Sequence, residues 1–355
     1  MKKRTVIIIA VVAAIAAVAL GIAIFVFAKL SLIKKADVKE EDIKVSDIYK
    51  DDTSEDSTEE KTNPYSGYEI IALVGIDTRD TSERGNGDTM ILACLDHDEE
   101  TIRLVSVYRD TYLDIGDKYS KACNAYASGG PEKFLTMINT NLDLNVTKFV
   151  TTNFNALADM IDELGGLDIE MTREELIHLN NYNVETSEVC GKEYEAVEVP
   201  DASVFDGAMT RTFHLTGTQA VSYARIRYTT GWDYKRTERQ RNVLGLVKEK
   251  MKNASWTTTM SVIDKVFPQV YTNLSNTEIL TLAQNVLSYE IIESEGFPFE
   301  KCSANLDGLD AIAADTLESN VIELHDLIYP EVAYKPSDTV VERSDYIAGR
   351  LQGAA

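Results

Sequence analysis

The sequence predicts a three-layer α/β/α domain with a mixed central sheet, preceded by one transmembrane helix. Two observations lead to this fold class. Short apolar runs that read as strands alternate with amphipathic helical patterns along the chain, as they do in α/β proteins. Hydrophobic residues make up 44% of the 355-residue chain, so it can bury a sizeable core.

A membrane anchor is predicted at the N-terminus. Residues 6–28 form an uncharged, apolar run of 23 residues behind a basic tail at residues 1–5. A helix of that length spans about 34 Å, enough to cross the hydrocarbon core of a bilayer. The apolar region of a cleaved signal peptide is shorter, at about 7–15 residues. The basic tail favours a cytoplasmic N-terminus, with the remainder of the chain extracytoplasmic.

The period of the apolar residues predicts the elements of the folded part. Strands are expected where a short apolar run is bounded by polar or glycine-rich loops: residues 69–74, 89–95, 102–108, 149–153 and 167–171. Helices are expected where apolar residues recur every three or four positions: residues 131–142, 154–164, 216–223, 236–252, 275–289 and 317–328. The short loop 96–100 predicts a hairpin, and residues 183–212 read as a long irregular loop.

Three regions follow from this pattern. Residues 29–67 are expected to form a flexible acidic linker, because eleven acids and few apolar residues lie between positions 36 and 66. Such a segment buries too little to offset the entropy of ordering it. Residues 68–252 form the predicted catalytic domain, and residues 253–355 are expected to be a helical extension packed on the same domain.

Composition and missing motifs exclude several classes of function. A net charge of −23 argues against nucleic acid as the main partner. The sequence has no HExxH, GxSxG, P-loop or GxGxxG pattern, and its four cysteines include no CxxC pair. In an extracytoplasmic compartment, Cys190 and Cys302 either form a disulfide or stay as free thiols, and both alternatives remain open.

Charged residues follow the first three predicted strands. Asp77 comes directly after the first strand, Asp88 opens the second, and Arg109 follows the third. Adjacent strand ends would bring the two carboxylates to one site, and Mg²⁺ binds through one or two carboxylates plus substrate phosphates. The alternative is that the aspartates are turn residues and that Arg109 forms a surface ion pair with an acid such as Asp110.

A cluster of arginines is the strongest local signal. Five arginines lie within the 17 residues from Arg225 to Arg241, in a chain of strongly negative charge. Arg225 and Arg227 alternate as in an extended segment and would share a face. Arg236, Arg239 and Gln240 would share one face of a helix start. Guanidinium groups bind phosphate oxygens bidentately, so the cluster suits a pyrophosphate; the alternative is a solvated basic helix face.

Together these motifs resemble the LytR-CpsA-Psr family of cell-envelope proteins over roughly residues 68–252. The resemblance rests on the stretches GIDTRD (75–80), GDTMIL (87–92), SVYRDT (106–111), KACNAYASGG (121–130), FNALADMIDELGGLDIEM (154–171), HLTGTQAVSYARIR (214–227) and DYKRTERQRNVL (233–244). It implies a domain outside the membrane that transfers an anionic glycopolymer, such as teichoic acid or a capsule-like polysaccharide, from a polyprenyl pyrophosphate carrier to peptidoglycan. The product would be a phosphodiester link to the wall.

The resemblance also implies the roles of individual residues. Asp77 and Asp88 match the magnesium-binding acids, with Mn²⁺ as an alternative metal. The positions matching the pyrophosphate site are Arg109, Arg225, Arg227, Arg236, Arg239 and Gln240, and Arg79 is a further candidate to bind substrate. The residues expected to act in catalysis are Asp77, Asp88, Arg109, Arg225 and Arg227. The implied partners are the lipid-linked glycopolymer, peptidoglycan and the membrane, without nucleic acid.

Several alternatives remain open from the sequence. A phosphatase acting on the same lipid would use water as the acceptor, and a non-catalytic envelope regulator would only bind the lipid. The base for the acceptor hydroxyl could be Asp77, Asp80 or an arginine-bound water. The helices at 131–142 and 154–164 are expected to line an apolar slot for the prenyl chain. Tyr108 replaces a proline that often stands in the family motif, and Asn86-Gly87 replace Arg-Ser.

Overall fold

A computed structural model describes residues 25–49, 64–78, 80–227 and 232–354. Most of the expected transmembrane segment, residues 6–28, therefore lies outside the described residues, although residues 25–30 are helical. Within the described ranges, no helix has the length and apolar character needed to cross a bilayer.

A seven-stranded mixed sheet forms the centre of the fold, in the order β1-β10-β7-β2-β3-β4-β11. Its strands are β1 (Lys34–Lys35), β2 (Tyr68–Ile76), β3 (Gly87–Asp96), β4 (Thr101–Val107), β7 (Lys148–Asn153), β10 (Tyr271–Thr272) and β11 (Glu290–Phe297). Three two-stranded sheets surround it: β5 (Tyr112–Asp114) with β6 (Tyr119–Lys121), β8 (Leu167–Thr172) with β9 (Thr210–Leu215), and β12 (Lys301–Leu306) with β13 (Leu309–Ala314).

Helices cover both faces of the central sheet. They are α1 (Cys123–Leu142), α2 (Phe154–Glu163), α3 (Arg173–Cys190), α4 (Gly217–Arg225), α5 (Trp232–Lys252), α6 (Trp256–Val266), α7 (Asn276–Ser288), α8 (Leu317–Ile328) and α9 (Asp338–Ala354). The mixed α/β architecture confirms the fold class predicted from the sequence. The five predicted strands, the 96–100 hairpin and all six predicted helices are present, with shifted ends.

The alternation of side chains in β2 explains how both faces are buried. Ala72 and Val74 point to one face and pack in a core with Phe134 of α1. Ile71 points to the other face and packs in a second core, against which Leu244 of α5 lies. A strand buried on both faces reads as a continuous apolar run, which is why the sequence pattern of β2 is clear.

The acidic segment before the domain is not a free linker over the part described. Lys34 and Lys35 form β1, which pairs in parallel with β10 at the edge of the central sheet. Ile43 is buried in the main core. The prediction of a flexible linker is therefore wrong for residues 34–49, because isolated apolar side chains and backbone pairing fix them despite the acidic composition. Residues 50–63 lie outside the described part of the chain.

Asp143 joins this segment to the C-terminal part of the protein. It lies just after α1 in the left-handed backbone region, with φ of 51°. Its carboxylate accepts hydrogen bonds from the hydroxyls of Ser46, Tyr334 and Ser337, at 2.5–2.8 Å. The ring of His325 packs on Tyr334 with centroids 3.5 Å apart and hydrogen-bonds the carbonyl before Asp143, that of Leu142. A buried carboxylate requires this many donors to remain stable.

The C-terminal region is not a purely helical extension, so that prediction is wrong. Strand β11 completes the central sheet by pairing in parallel with β4, and β12 and β13 form a hairpin. Helix α9 was also not predicted. The pattern failed for β11 because residues 290–295 are exposed except for the half-buried Ile291: its sequence, EIIESEGF, has three acids and reads as polar.

The segment 183–212 is only partly a loop. Helix α3 continues to Cys190, begins with a capping box between Thr172 and Glu175, and ends at Gly191 in the left-handed region. Strand β9 then covers residues 210–215. The loop prediction missed these elements because few of their residues are apolar. All four cysteines are free, so the disulfide alternative for Cys190 and Cys302 is wrong.

Candidate active site

The two candidate acids lie at the same edge of the central sheet. Asp77 directly follows β2, and Asp88 is the second residue of the antiparallel neighbour β3. The pairing shifts register here, because Gly75 lies opposite Thr89 whereas Ile76 lies opposite Gly87. Asp88 is therefore the extra residue of a β-bulge, an irregularity that redirects a side chain.

Asp88 forms the centre of a charged cluster. Arg109, just beyond β4, places Nη1 2.8 Å from Asp88 Oδ1. Burial raises the pKa of Asp88 above its usual value, and the nearby Asp77 carboxylate adds to the increase. The positive charges of Arg109, Arg236 and Arg227 oppose it. The structure therefore brings together two of the candidate acids and three of the candidate arginines.

Two chain segments bring Arg227 and Arg236 to this cluster. Helix α4 ends at Arg225, and the non-helical residue Ile226 leads on to Arg227. Arg236 lies in the first two turns of α5 and is only 4% exposed. A buried guanidinium remains charged, so this position supplies a fixed positive charge beside Asp88.

The loop after β2 is organised by its own side chains. The amide of Asn86 donates to Asp77 Oδ1 at 3.1 Å. A Cβ atom at Gly85 would lie 2.6 Å from the Thr78 methyl group and 2.8 Å from Asp77 Oδ1, so a side chain at this position would displace them. Asp80 Oδ1 accepts from Lys34 Nζ and from the Ser82 hydroxyl, both at 2.7 Å. These bonds hold the pKa of Asp80 well below its usual range. Arg79 lies outside the described residues.

Arg225 and Arg239 contact acids on α3 rather than Asp88. Arg225 donates to the Thr186 hydroxyl at 2.8 Å and to Glu185 at 3.0 Å, and its guanidinium lies 4.6 Å from the centre of the Phe154 ring. The expectation of an extended segment at this position is wrong, because Arg225 still belongs to α4. Arg239 is 4% exposed and donates through two nitrogens to Glu175.

An apolar cavity of about 220 Å³ lies beside the charged cluster. It runs between the face of β2, β3 and β7 and the helices α2, α4 and α5. Its walls include Leu73, Ile91, Leu157, Ala224, Val243 and Val247. At one end it is lined by Gly75 and Thr89, neighbours of Asp77 and Asp88, and by the polar side chains of Arg225 and Gln240.

The walls of this cavity differ in part from those expected for a prenyl slot. Helix α2 lines it, as expected, through Phe154, Leu157 and Met160. The expectation for residues 131–142 is wrong, because α1 covers the opposite face of the sheet, where Phe134 is buried. Sequence reasoning missed α4 and α5 as the other wall. The signal was their apolar positions Val221, Ala224, Val243 and Val247, spaced by three or four residues.

Tyr108, the departure from the family motif, is buried beside the site. Its ring lies 5.0 Å from that of Tyr234, and Lys301 Nζ lies 5.1 Å and 4.7 Å from the two ring centres. Its hydroxyl occupies the space where a Cβ at Gly296 would stand. Tyr108 therefore packs the edge strand β11 and the C-terminal hairpin against the start of α5.

The donor chemistry of Asp77 and Asp88 fits a divalent cation. Among the described residues, no group of three or more His, Cys, Asp or Glu side chains could hold a metal ion. Mg²⁺ does not need such a group, because one or two carboxylates and the oxygens of a phosphate substrate complete its shell. The Asp77 carboxylate raises the pKa of Asp88, and a cation bound near both acids would offset that repulsion.

The charged cluster of acids and arginines thus adjoins an apolar cavity. Comparison with known proteins gives the family: this chain belongs to the LytR_cpsA_psr family, whose match covers residues 36–324. The match extends well beyond residues 68–252, where the motifs that carry the resemblance lie. It includes the N-terminal segment from residue 36 and the edge strand β11.

A curated relative and two solved structures are similar to this chain. The polyisoprenyl-teichoic acid–peptidoglycan teichoic acid transferase TagU of Halalkalibacterium halodurans is 27% identical over 208 residues, 58% of this chain and 60% of that protein. The chain thus matches about three-fifths of that relative's length. Protein gbs0355 from Streptococcus agalactiae has a TM-score of 0.60 at 26% identity, covering 77% of this chain and 90% of that one. The family protein YwtF (TagT) with bound octaprenyl pyrophosphate lipid shares the fold at 21% identity and a TM-score of 0.53, with 77% and 94% covered.

Proposed function

We propose that this protein transfers an anionic cell-wall glycopolymer, such as teichoic acid or a capsule-like polysaccharide, from a polyprenyl pyrophosphate carrier to peptidoglycan. One observation carries the proposal. The apolar cavity ends at Gly75 and Thr89, which adjoin the acids and the arginine cluster. A lipid chain and its pyrophosphate could therefore be bound at the same time. The name of the relative from H. halodurans gives the same reaction, and YwtF binds octaprenyl pyrophosphate, a lipid of this class.

The arginines would supply most of the catalytic effect. Phosphoryl transfer depends mainly on positioning and on neutralising charge on the phosphate oxygens. Arg109, Arg227 and Arg236 surround Asp88 and would bind the non-bridging oxygens and the departing polyprenyl phosphate. Arg236 is buried and Arg109 and Arg227 are half-buried, which strengthens this effect because the surrounding dielectric is low and the groups are already in place.

Asp77 and Asp88 would hold Mg²⁺, or Mn²⁺ in its place. When bound, the cation supplies charge neutralisation on the pyrophosphate. Among the candidate bases, the Asp80 carboxylate is already occupied by Lys34 and Ser82 and is held as a weak base. Asp77 lies nearer the cluster and is the better candidate to take the proton of the acceptor hydroxyl.

The site would operate outside the cytoplasm, next to the membrane that contains its lipid substrate. The support for this placement is the apolar run at residues 6–28 behind a basic tail. The folded domain follows closely, because β1 begins only six residues after the run ends. We therefore propose a single-pass protein with a cytoplasmic N-terminus and an extracytoplasmic catalytic domain.

The proposal is tested by reconstituting the full-length protein in vesicles with a radiolabelled lipid-linked polymer, peptidoglycan and Mg²⁺. The expected result is label covalently attached to peptidoglycan and released polyprenyl phosphate in equal amounts. The matched control is the same protein with Asp88→Asn. Release of polymer into solution without attachment would instead identify a phosphatase, and binding without release would identify a regulator.

A further inference from the structure

A second cleft, outside the acid and arginine cluster, lies on the far side of the β5–β6 hairpin. It has a volume of about 690 Å³, within the usual range for ligand pockets. One wall is the hairpin itself, from Asp114 to Ser120. The other is formed by Asp307 and Leu309, at the turn between β12 and β13, and by Tyr346 of α9. Tyr346 lies beyond residue 324, where the family match ends.

Three tyrosines form a stack that leads from the core to this cleft. Tyr112 is fully buried and lies 5.6 Å from Tyr119, with the ring planes 27° apart. Tyr119 in turn lies 4.0 Å from Tyr346, at 21°. Tyr346 is 43% exposed. The outermost ring of a rigid stack is thus presented to solvent at the cleft.

The cleft is connected to the candidate active site by a short chain of contacts. Arg109 Nη2 lies 3.8 Å from Cys123 Sγ, and that sulfur lies 3.7 Å from Asn124 Oδ1. The amide nitrogen of Asn124 donates to Ser120 Oγ at 2.9 Å. Asn124 and Ser120 both line the cleft. One end of the cleft is therefore two side-chain contacts away from the guanidinium beside Asp88.

The charge of the cleft differs from that of the phosphate site. Asp114 is paired with Arg343 at 2.7 Å, Asp117 with Lys133 at 2.5 Å, and Asp307 with Arg350. Each of these acids is matched by a cation, and Lys118 adds one further positive charge to the lining, so the cleft lacks the cluster of arginines that a polyanionic donor would need. Each carboxylate has about four acceptor positions, so these acids can still accept hydrogen bonds from hydroxyl groups.

We propose that this cleft binds the glycan strand of the acceptor, with a pyranose ring stacked on Tyr346 and its hydroxyls facing the carboxylates of the hairpin. One face of a pyranose presents only C–H groups, which suit the electron-rich face of an aromatic ring. Its rim carries hydroxyl donors, which suit carboxylate acceptors. The inference rests on the proposed transferase function, and it deepens that function by placing the acceptor on the Arg109 side of the site.

Binding of an uncharged tetrasaccharide of β-1,4-linked N-acetylglucosamine, one of the two sugars of the peptidoglycan strand, tests the cleft directly when it is measured by calorimetry on the full-length protein without lipid. We expect Tyr346→Leu, which keeps an apolar contact with Tyr119 but offers no flat ring, to raise Kd at least fivefold. Tyr346→Phe should bind as the wild type does. The control is Tyr194→Ala, at a residue of similar exposure, 45%, outside the cleft. Unchanged binding by Tyr346→Leu would overturn the proposal.

Steady-state transfer supplies the second measurement. Tyr346→Leu should raise KM for the glycan acceptor at least fivefold and leave KM for the lipid-linked donor within twofold of the wild type. An equal increase of both KM values would also overturn the proposal, since it would show a general effect on the fold. The protein could also bind the glycan through Tyr346 and yet show no transfer. That result would contradict the proposed function but support the glycan-binding cleft.

Discussion

Lys34 Nζ lies 2.7 Å from Asp80 Oδ1, so the edge strand nearest the predicted membrane anchor is tied to the loop that carries Asp77. Asp80 also accepts from the backbone and hydroxyl of Ser82, and the hydroxyl of Thr78 donates to the Asp80 carbonyl. A displacement of Lys34 would therefore change the loop beside the proposed metal site.

Replacing Lys34 should affect activity more than stability. Its side chain is 39% exposed and that of Asp80 is 47% exposed, so the ion pair itself contributes at most about 1 kcal/mol. We expect Lys34→Gln to lower the transfer rate about fivefold, roughly 1 kcal/mol in the barrier. Lys34→Arg, which keeps a positive charge opposite Asp80, should retain most of the rate. The control is Lys39→Gln, because Lys39 pairs with Glu41 in a more exposed ion pair. Full activity in Lys34→Gln would show that the loop is positioned without Lys34.

Asp88→Asn should remove activity while the protein stays folded. The substitution keeps the shape of the side chain but removes one of the two charges that would bind the cation and the charge that faces Arg109. We expect a rate loss of at least about a hundredfold, roughly 2.7 kcal/mol. Measurements are transfer to peptidoglycan and Mn²⁺ binding by electron paramagnetic resonance. Asp98→Asn in the exposed β3–β4 turn is the control; unchanged Mn²⁺ binding by Asp88→Asn would contradict the metal assignment.

Arg239 should contribute mainly to the stability of the fold, and Arg227 mainly to the transfer rate. Arg239 is buried against Glu175, which also caps α3, so Arg239→Ala leaves a carboxylate with a lost partner inside the protein. We expect it to lower the free energy of unfolding by at least about 2 kcal/mol. Arg227→Ala should instead lower the transfer rate at least about tenfold, roughly 1.4 kcal/mol, with poor rescue by lysine. Urea unfolding and transfer assays on both variants measure the two effects. A stable Arg239→Ala variant, or an Arg227→Ala variant that loses stability but keeps its rate, would contradict the prediction.

Filling the apolar cavity should block lipid binding. Ala224 lines the cavity from α4 and is only 5% exposed, so a phenylalanine there would extend into the space that the prenyl chain requires. We expect Ala224→Phe to raise Kd for a long-chain polyprenyl pyrophosphate at least about tenfold, or 1.4 kcal/mol. Binding of inorganic pyrophosphate should change less than twofold. Equal losses for both ligands would place the effect on the arginine cluster rather than on the cavity.

The stability of the protein should fall in mild acid because of His325. Burial lowers the pKa of this residue to about 4 despite the nearby Asp143 and Asp326, against 6.5 for an unperturbed histidine. Its neutral form therefore stabilises the fold above pH 6.5, and this contribution is lost as the pH falls towards 4, because the unfolded chain binds the proton first. We expect a loss of about 2 kcal/mol between pH 7 and pH 5. His325→Gln should lose this part of the pH dependence, whereas His178→Gln should keep it.

The elements that the sequence predicts best are those whose signal lies within the element itself. Strand β2 is recognisable because both of its faces are buried, and α7 is recognisable because Ser275 and Glu278 form the capping box that their spacing predicts. The acids and Arg109 could be placed together because each lies at a strand end. The arginine cluster is less predictable. Arg239 and Arg236 lie three residues apart, yet only the structure shows that Glu175, 64 residues away in sequence, engages Arg239.

Long-range pairing explains the remaining errors. The acidic segment at residues 34–49 has the composition of a disordered chain because its partners, such as β10 and Asp143, are distant in sequence. Strand β11 was missed because most of this edge strand is exposed and it carries little hydrophobic signal. The cavity wall from α4 and α5 could be recognised only once α1 was known to lie on the opposite face.

The two edges of the central sheet come from opposite ends of the folded chain, with β1 at residues 34–35 and β11 at residues 290–297. Seven residues of β4 pair with β11, so β4 keeps an open edge until residue 297 has been synthesised and has reached it. An open, apolar edge strand is a template for pairing with another chain, and pairings over such long sequence separations form slowly. The C-terminal third of the chain therefore acts as a built-in protection against aggregation during biogenesis, and a fragment that ended near residue 252 would lack it.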